Sequence, residues 1–239
     1  MWLSGSITGT YAQYCICNTA QVHPLPDSVD SAQGAAIGVA YRTAYRALHI
    51  RARVQAGQIV LVHGASGGVG IAAVQLATAH GCIVYGTAGT EEGMKLITQQ
   101  GCTQAFNHRQ QGYMQEIYAA TGQREGVDVV LEMLANVNLN EDLKILHRGG
   151  TVAIIGNRGD VEINPRLLMQ KESSIIGVLG GTREEHEQCF AGINAGLRSG
   201  ALKPVVATPA YMMEQASAAH QSVMDGSQGS SGKVVLITK

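Results

Sequence analysis

The chain has 239 residues, which is enough for one or two domains with a sizeable core. Its content of 45% hydrophobic and 15% charged residues is ordinary for a globular protein. A net charge of −1 with scattered Lys and Arg lacks the footprint of a protein that binds nucleic acid or a membrane surface. The longest apolar runs have the length of strands and the first residues lack signal-peptide features, so we expect a cytoplasmic protein without a transmembrane helix.

The first part of the chain combines a strand pattern with a helical one. Residues Thr10 to Val22, "TYAQYCICNTAQV", are rich in residues that favour strands. A proline-bearing connector follows, in which Asp27 or Ser28 is a suitable helix cap. The small residues from Ala32 to Leu48 predict that helix, with Gly38 interrupting it.

From residue 58 onward, short apolar strands alternate with helices. The predicted strands are "IVLVHG", "IVYGTAG", "QAFNH", "VDVVLEM", "TVAIIG" and "SSIIGV". The predicted helices cover 69–80, 90–100, 111–121 and 139–146, with Thr90 as an N-cap and with Gly81 and Gly101 as left-handed C-caps. Continuously apolar strands separated by helices are typical of a parallel sheet covered on both faces. The sequence therefore predicts an α/β fold with a doubly wound parallel sheet of the Rossmann type.

The pattern changes at Thr182. Two helices are predicted, from Arg183 to Ser199 and from Tyr211 to Met224. The turn "GSQGSSG" at 226–232 then leads to a last strand from Val234 to Ile237.

The segment "IVLVHGASGGVGIAAV" places a glycine turn between a strand and a helix, which is the context that makes such a motif informative. Aligned with the dinucleotide-binding fingerprint, Ala65, Gly67 and Gly70 take the three glycine positions. Gly67 would let the backbone approach a pyrophosphate, and Gly70 would let the helix pack closely on its strand. The N–H groups near Gly68 and Val69 would face the phosphate, favoured by the helix dipole. The alternative is a tight turn that binds nothing.

The end of the second strand indicates which nucleotide is bound. NAD-binding proteins carry an acid there that contacts the ribose 2′-hydroxyl, but this sequence has "TAG" at 87–89. Glu91 and Glu92 follow in the first turn of the next helix, where they complement the helix dipole. The missing acid favours NADP. Candidate partners of its 2′-phosphate, each with a solvated surface role as the alternative, are Lys95, His108 and Arg109.

Several other kinds of site find no support in the sequence. No tyrosine is followed four residues later by lysine, which argues against the short-chain dehydrogenases. No G-x-S-x-G segment is present, which argues against an α/β-hydrolase. The eight histidines are dispersed rather than paired at metal-ligand spacing, so no metal site is predicted.

A family resemblance extends these observations. It is carried by "VHGASGGVGIAAVQLA", "GTAGTEEG", "FNHR", "EMLANVNLNEDL", "EINPRLLMQKESSIIGV" and "GKVVL". These segments closely resemble the ζ-crystallin family of NADPH-dependent quinone oxidoreductases, in the zinc-independent branch of the medium-chain dehydrogenase/reductase superfamily. The resemblance spans essentially the whole chain. It implies a Rossmann domain inserted late in a GroES-like catalytic domain.

The resemblance divides the chain into three regions. Residues 1–32 would be the remnant of an N-terminally truncated GroES-like catalytic domain, 33–175 the NADPH-binding Rossmann domain, and 176–239 the return segment to the catalytic domain. Most of the GroES-like part and much of the quinone pocket would then lie outside this sequence. We therefore expect the chain to bind NADPH better than it reduces quinones.

The family's NADPH contacts map onto residues at the strand ends. They are Ser66, Gly67, Gly68 and Val69 at the pyrophosphate, Gly89 and His108 near the adenosine, Asn138, Ile155, Gly156, Asn157 and Arg158 at later strand ends, and Val178 and Leu179 on the nicotinamide side. The segment "AAIGVAY" lacks the cysteine that alcohol dehydrogenases use for zinc, which agrees with zinc independence. The resemblance assigns no acid or base. A quinone accepts reducing equivalents directly from NADPH, and the protein positions the two molecules, so the catalytic residues are unknown.

The resemblance also implies a homo-oligomer, either a dimer or a tetramer. A second hypothesis is a non-catalytic protein that binds NADPH, either crystallin-like or RNA-binding. The charge pattern does not indicate RNA binding.

Overall fold

The computed structural model describes residues 1–225 and 231–238. Its first elements are two short strands, β1 (Trp2–Leu3) and β2 (Val22–His23), which pair antiparallel. The strand predicted from Thr10 to Val22 is wrong except at its last residue, because 10–18 is irregular and Thr19–Gln21 is a 3-10 helix. Tyr14 in this segment is 90% exposed, and none of the described strands pairs with residues 10–21. A strand-favouring composition forms a strand only where a partner satisfies its backbone groups.

The predicted helix from Ala32 to Leu48 is present but divided. Helix α1 covers Ser31–Ala35, α2 covers Gly38–Tyr45, and a π-helical stretch continues over Arg46–Arg51. The cap predicted at Asp27 or Ser28 is wrong. Asp30 caps α1, since its side chain accepts a hydrogen bond from the Gln33 N–H at 2.8 Å while the Asp30 N–H donates to the Gln33 side chain.

The predicted alternation of strands and helices is confirmed. In chain order the elements are β3 (Ile59–Val62), α3 (Gly68–Ala79), β4 (Ile83–Ala88), α4 (Glu91–Gln99), β5 (Gln104–Asn107), α5 (Tyr113–Ala120), β6 (Val127–Glu132), α6 (Ala135–Ile145), β7 (Leu146–Ile154), α7 (Pro165–Lys171) and β8 (Ser174–Gly177). Thr90 caps α4, and Gly81 and Gly101 have positive φ as predicted. The sequence missed α7, which has only seven residues and no buried side chain.

The six strands β3 to β8 form one parallel sheet in the order β5-β4-β3-β6-β7-β8. The chain leaves β3 toward β4 on one side and later crosses to β6 on the other. The carboxyl ends of β3 and β6 therefore flank the topological switch point, the place where open α/β sheets bind ligands.

Apolar side chains cover both faces of the sheet. Val60 and Val62 of β3 belong to one apolar cluster, whereas Ile59 and Leu61 belong to another. Alternate residues of a strand point to opposite faces, so β3 is buried from both sides. This explains why its sequence is continuously apolar rather than alternating.

The C-terminal part of the chain, from residue 183 onward, packs against the N-terminal part. Helix α8 (Arg183–Ser199) matches its predicted bounds and packs against α2. Strand β9 (Tyr211–Met212) and a 3-10 turn replace the start of the predicted helix 211–224, and α9 covers Ala216–Asp225. Most of the predicted turn 226–232 lies outside the described residues. Strand β10 is shorter than predicted, covering Leu236–Ile237. Among the described residues, no helix combines the length and apolar character needed to cross a membrane.

Candidate nucleotide-binding site

The glycine turn lies where β3 ends at the switch point. Gly67 is the extended N-cap of α3, and the first helical residue is Gly68. A Cβ on Gly70 would lie 2.4 Å from the Gly64 carbonyl oxygen and 2.5 Å from the Ala65 Cα, so only glycine fits there. This agrees with the role predicted for Gly70 in close helix packing. The first N–H groups of α3 lack partners within the helix and point out of its start, which suits an anion.

Strand β4 holds the glycine turn in place from one side. The backbone N–H of Ala65 donates to the Thr87 carbonyl at 2.8 Å, and the N–H of Gly64 donates to the Thr87 hydroxyl at 3.1 Å. Thr87 is fully buried. Thr87 is the first of the three residues, 87–89, that stand where an NAD-binding protein has an acid. It therefore supports the glycine turn from inside the protein.

Gly89, which follows β4, lies against two basic side chains. A Cβ on Gly89 would be 2.9 Å from His108 Nε2 and 2.9 Å from Arg109 Nε. The structure thus places Arg109 beside Gly89 and His108, the two residues that the resemblance put near the adenosine. Lys95, the other predicted cation, lines a groove between α4 and β5 with Met94 and Ala105. Glu91 and Glu92 occupy the first turn of α4, as predicted.

The ends of β6 and β7 meet closely beside the switch point. The N–H groups of Ile155 and Gly156 both donate to the Glu132 carbonyl, at 2.8 and 3.1 Å, and the Gly156 carbonyl accepts from the Ala135 N–H at 3.0 Å. A Cβ on Gly156 would lie 2.2 Å from the Met133 carbonyl oxygen, so this approach requires glycine. Of the other predicted residues here, Asn138 is half-buried at the start of α6, while Asn157 and Arg158 are exposed.

The predicted nicotinamide-side residues follow β8 at the edge of the sheet. Val178 is buried, and its N–H donates to the Ile154 carbonyl at 2.9 Å. Leu179 is 95% exposed, which is unusual for a large apolar side chain and suits a contact surface. Gly180 and Gly181 follow with positive φ.

The returning C-terminal segment reaches the glycine turn, a contact that the sequence analysis missed. The Gly232 N–H donates to the Ser66 carbonyl at 2.8 Å. Lys233 lies across the start of α3, because a Cβ on Gly68 would be 3.0 Å from the Lys233 Cδ. Lys233 brings a basic residue to the start of α3, and "GKVVL" was the only sequence signal for it.

A buried cluster of ionisable groups lies behind the turn. His63 Nε2 is 2.9 Å from Asp142 Oδ1 and 3.6 Å from Glu132 Oε2, and all three residues are at most 3% exposed. Within residues 1–225 and 231–238, it is the one group of three or more side chains with metal-binding atoms close enough to share an ion. No sequence pattern singled out His63, because the cluster joins residues at the ends of β3 and β6 and within α6 that are far apart in the chain.

Burial sets the charges of this cluster. Burial, opposed by His63 and assisted by the Asp142 carboxylate, raises the pKa of Glu132 to about 7. Burial by itself would lower the pKa of His63, but the Asp142 and Glu132 carboxylates raise it above the ordinary value. The cluster therefore holds protons near neutral pH that exposed groups of the same kinds would not hold.

Comparisons with known proteins agree with this geometry. The family of zinc-binding dehydrogenases matches residues 68–194. The chain is 50% identical to the quinone oxidoreductase of Pongo abelii and 49% identical to that of Homo sapiens, over 99% of this chain and 72% of each relative.

Solved structures show the same architecture. The quinone oxidoreductase of Thermus thermophilus, solved alone and in complex with NADPH, is 29% identical with a TM-score of 0.77, over 95% of this chain and 74% of that one. An NAD-dependent alcohol dehydrogenase is 27% identical with a TM-score of 0.87, over 95% of this chain and 65% of that one.

Proposed function

The chain belongs to the quinone oxidoreductase family of the medium-chain dehydrogenase/reductase superfamily, and on that premise we propose that it reduces quinones with NADPH. The observation that carries the proposal is the glycine turn at the switch point of the sheet, in a chain about half identical to quinone oxidoreductases along its length. A nucleotide pyrophosphate would lie against the start of α3, at Ser66, Gly67, Gly68 and Val69.

The choice of NADPH over NADH rests on the end of β4. An acid there would repel a 2′-phosphate, whereas the absence of a side chain on Gly89 lets His108 Nε2 and Arg109 Nε lie 2.9 Å from the position that a Cβ would occupy. Arg109 carries a planar cationic group suited to a phosphate. The adenosine 2′-phosphate would therefore lie beside Gly89, against the His108 and Arg109 side chains.

The remaining predicted residues would line the path of the cofactor toward the quinone. Asn138 and the turn 155–158 follow the next two strands, and Val178 and Leu179 end the path. Bound NADPH supplies the hydride, and the residues of this chain bind and orient it. We assign no side chain as acid or base and no zinc ligand. The division at 32/33 and 175/176 and a homo-oligomeric assembly also belong to this proposal.

A titration with NADPH and with NADH, followed by fluorescence, tests the cofactor assignment, and addition of an ortho-quinone then tests turnover. We expect wild-type protein to prefer NADPH, and we expect Arg109→Gln to weaken NADPH binding about tenfold while NADH binding stays unchanged. Arg148→Gln is the matched control, since Arg148 is exposed near the amino end of β7. Equal affinity of the wild-type protein for the two cofactors would refute the 2′-phosphate assignment.

A further inference from the structure

Glu132 connects the buried cluster to three of the predicted cofactor residues. Its carbonyl accepts the N–H groups of Ile155 and Gly156, and its Oε1 accepts hydrogen bonds from the Leu134 N–H and, at 3.2 Å, from the Asn138 side-chain amide. Two of these hydrogen bonds, those from Ile155 and Gly156, go to the backbone carbonyl, and two, those from Leu134 and Asn138, go to the side chain. The buried carboxyl group therefore holds the start of α6 and the Asn138 side chain, while the backbone of Glu132 holds the end of β7.

The hydrogen bonds of Asn138 fix the orientation of its amide. One Nδ2 hydrogen is donated to Glu132, while Oδ1 accepts from the Tyr113 hydroxyl at 3.4 Å. The second Nδ2 hydrogen remains for another partner. Asn138 is only half-buried, so its side chain is not fully enclosed by the protein.

With His63 protonated, the cluster is electrically neutral only if its two carboxyl groups hold one proton between them. Two carboxyl groups and one imidazole are enclosed together, and an enclosed net charge is costly. Glu132 Oε2 and Asp142 Oδ2 are both buried without a hydrogen-bond partner among the described residues. A proton shared between these two oxygens would give both a partner, and it would leave Glu132 Oε1 free to accept from Asn138.

We propose that Glu132 is a positioning residue for the cofactor: sharing a proton with Asp142 beside His63, it orients the Asn138 amide toward bound NADPH. The other groups that face this network are Thr87 from β4, whose hydroxyl lies 3.5 Å from His63 Nδ1, Tyr113 from α5, and His108 beyond β5. This inference rests on the proposed function, because it requires NADPH at this edge.

A double-mutant cycle tests the proposal through the dissociation constant of NADPH. Glu132→Ala and Asn138→Ala should each weaken NADPH binding about tenfold, the value of one well-placed hydrogen bond to a ligand. The double variant should bind about as weakly as either single variant, because Glu132 acts through Asn138. If the two effects instead multiply to about a hundredfold, Glu132 acts on its own and the proposal is refuted.

A conservative substitution keeps the test valid if Glu132→Ala does not fold. Glu132→Gln retains an oxygen acceptor for Asn138, and its amide can donate to Asp142 in place of the shared proton. We expect its affinity for NADPH to stay within about threefold of the wild-type value at pH 6. A tenfold loss in a folded Glu132→Gln protein would refute the shared proton.

Two further measurements separate this inference from its alternatives. His147→Gln, a control at the opposite end of β6, should leave NADPH affinity unchanged. Elemental analysis should find no stoichiometric metal, since an ion held by His63, Glu132 and Asp142 would replace the shared proton and refute the proposal.

If wild-type protein binds NADPH and the effects in the double-mutant cycle are additive, only this inference fails. If wild-type protein does not bind NADPH, the proposed function fails as well.

Discussion

Strand β6 has an acid near a histidine at each of its ends, and the two pairs lie in opposite environments. At the carboxyl end, Glu132 and His63 are enclosed, with Asp142 as the third member. At the amino end, the Asp128 side chain is 20% exposed and lies 3.9 Å from the His147 Nδ1, whose side chain is 44% exposed. Asp128 also lies 3.7 Å from the Arg124 guanidinium and accepts the Ile59 N–H at 2.7 Å.

The two pairs show that burial, rather than residue type, decides what an acid and a histidine do. Asp128 is partly exposed to water, so its contacts with Arg124 and His147 contribute at most about 1 kcal/mol. Glu132 has lost that water, and its hydrogen bonds join the ends of β6 and β7 to Asn138. The glycine turn lies at the carboxyl edge of the sheet. The buried pair therefore lies behind the candidate site, and the exposed pair lies far from it.

The largest expected effect comes from disturbing the tight packing of the glycine turn, which follows β3 at the carboxyl edge of the sheet. Gly70→Ala would place a Cβ 2.4 Å from the Gly64 carbonyl oxygen, so the turn must shift. We expect a loss of about 3 kcal/mol of unfolding free energy, measured by denaturant titration, together with loss of NADPH binding. Gly159→Ala is the control, since nothing lies within 4 Å of its Cβ position. Equal stabilities of the two variants would contradict the packing role of Gly70.

The second effect is a pH dependence of the unfolding free energy, which we expect from the buried cluster at the carboxyl end of β6. The pKa of Glu132 is raised from 4.5 to about 7, so the folded protein holds a proton that the unfolded chain releases. The unfolding free energy therefore falls as pH rises through this window, by about 2 kcal/mol between pH 5.5 and 7.5. The raised pKa of His63 acts in the same direction, since its contribution is present below the unfolded pKa and is lost as pH rises through the folded pKa.

Chemical denaturation at several pH values measures this dependence. Glu132→Gln should be more stable than wild-type protein at pH 7.5 and should show a flatter pH profile. Asp128→Asn should retain the wild-type slope in this range. A Glu132→Gln profile parallel to that of wild-type protein would show that Glu132 is ionised throughout.

The smallest effect should come from the exposed pair itself. His147→Gln removes a partner 3.9 Å from a partly solvated carboxylate, so we expect a change below about 0.5 kcal/mol in unfolding free energy. The change should shrink further in high salt. The matching variant at the buried end is His63→Gln, which we expect to lose more unfolding free energy than His147→Gln. Equal losses in the two variants would mean that the two ends of β6 do not differ as their burial indicates.

Local patterns determined most of the fold. The alternation of apolar strands and helices predicted the parallel sheet, and the caps at Thr90, Gly81 and Gly101 were readable because capping depends on neighbouring residues. The prediction failed where a pattern depended on a partner elsewhere, as in residues 10–21, whose strand-favouring residues find no strand to pair with among the described ones. The roles assigned to Ser66, Asn138 and the other mapped residues remain predictions.

The sequence by itself determined the glycine turn and the missing acid after β4, because each depends on residues close together in the chain, and it determined the family, because several segments match in order. The tertiary structure alone decided which distant residues meet there. It placed His108 and Arg109 beside Gly89, Lys233 beside Gly68, and His63 with Glu132 and Asp142. The physical reason is that burial and charge pairing arise between elements, so residues 79 positions apart can share one hydrogen bond without any periodic signal in the sequence.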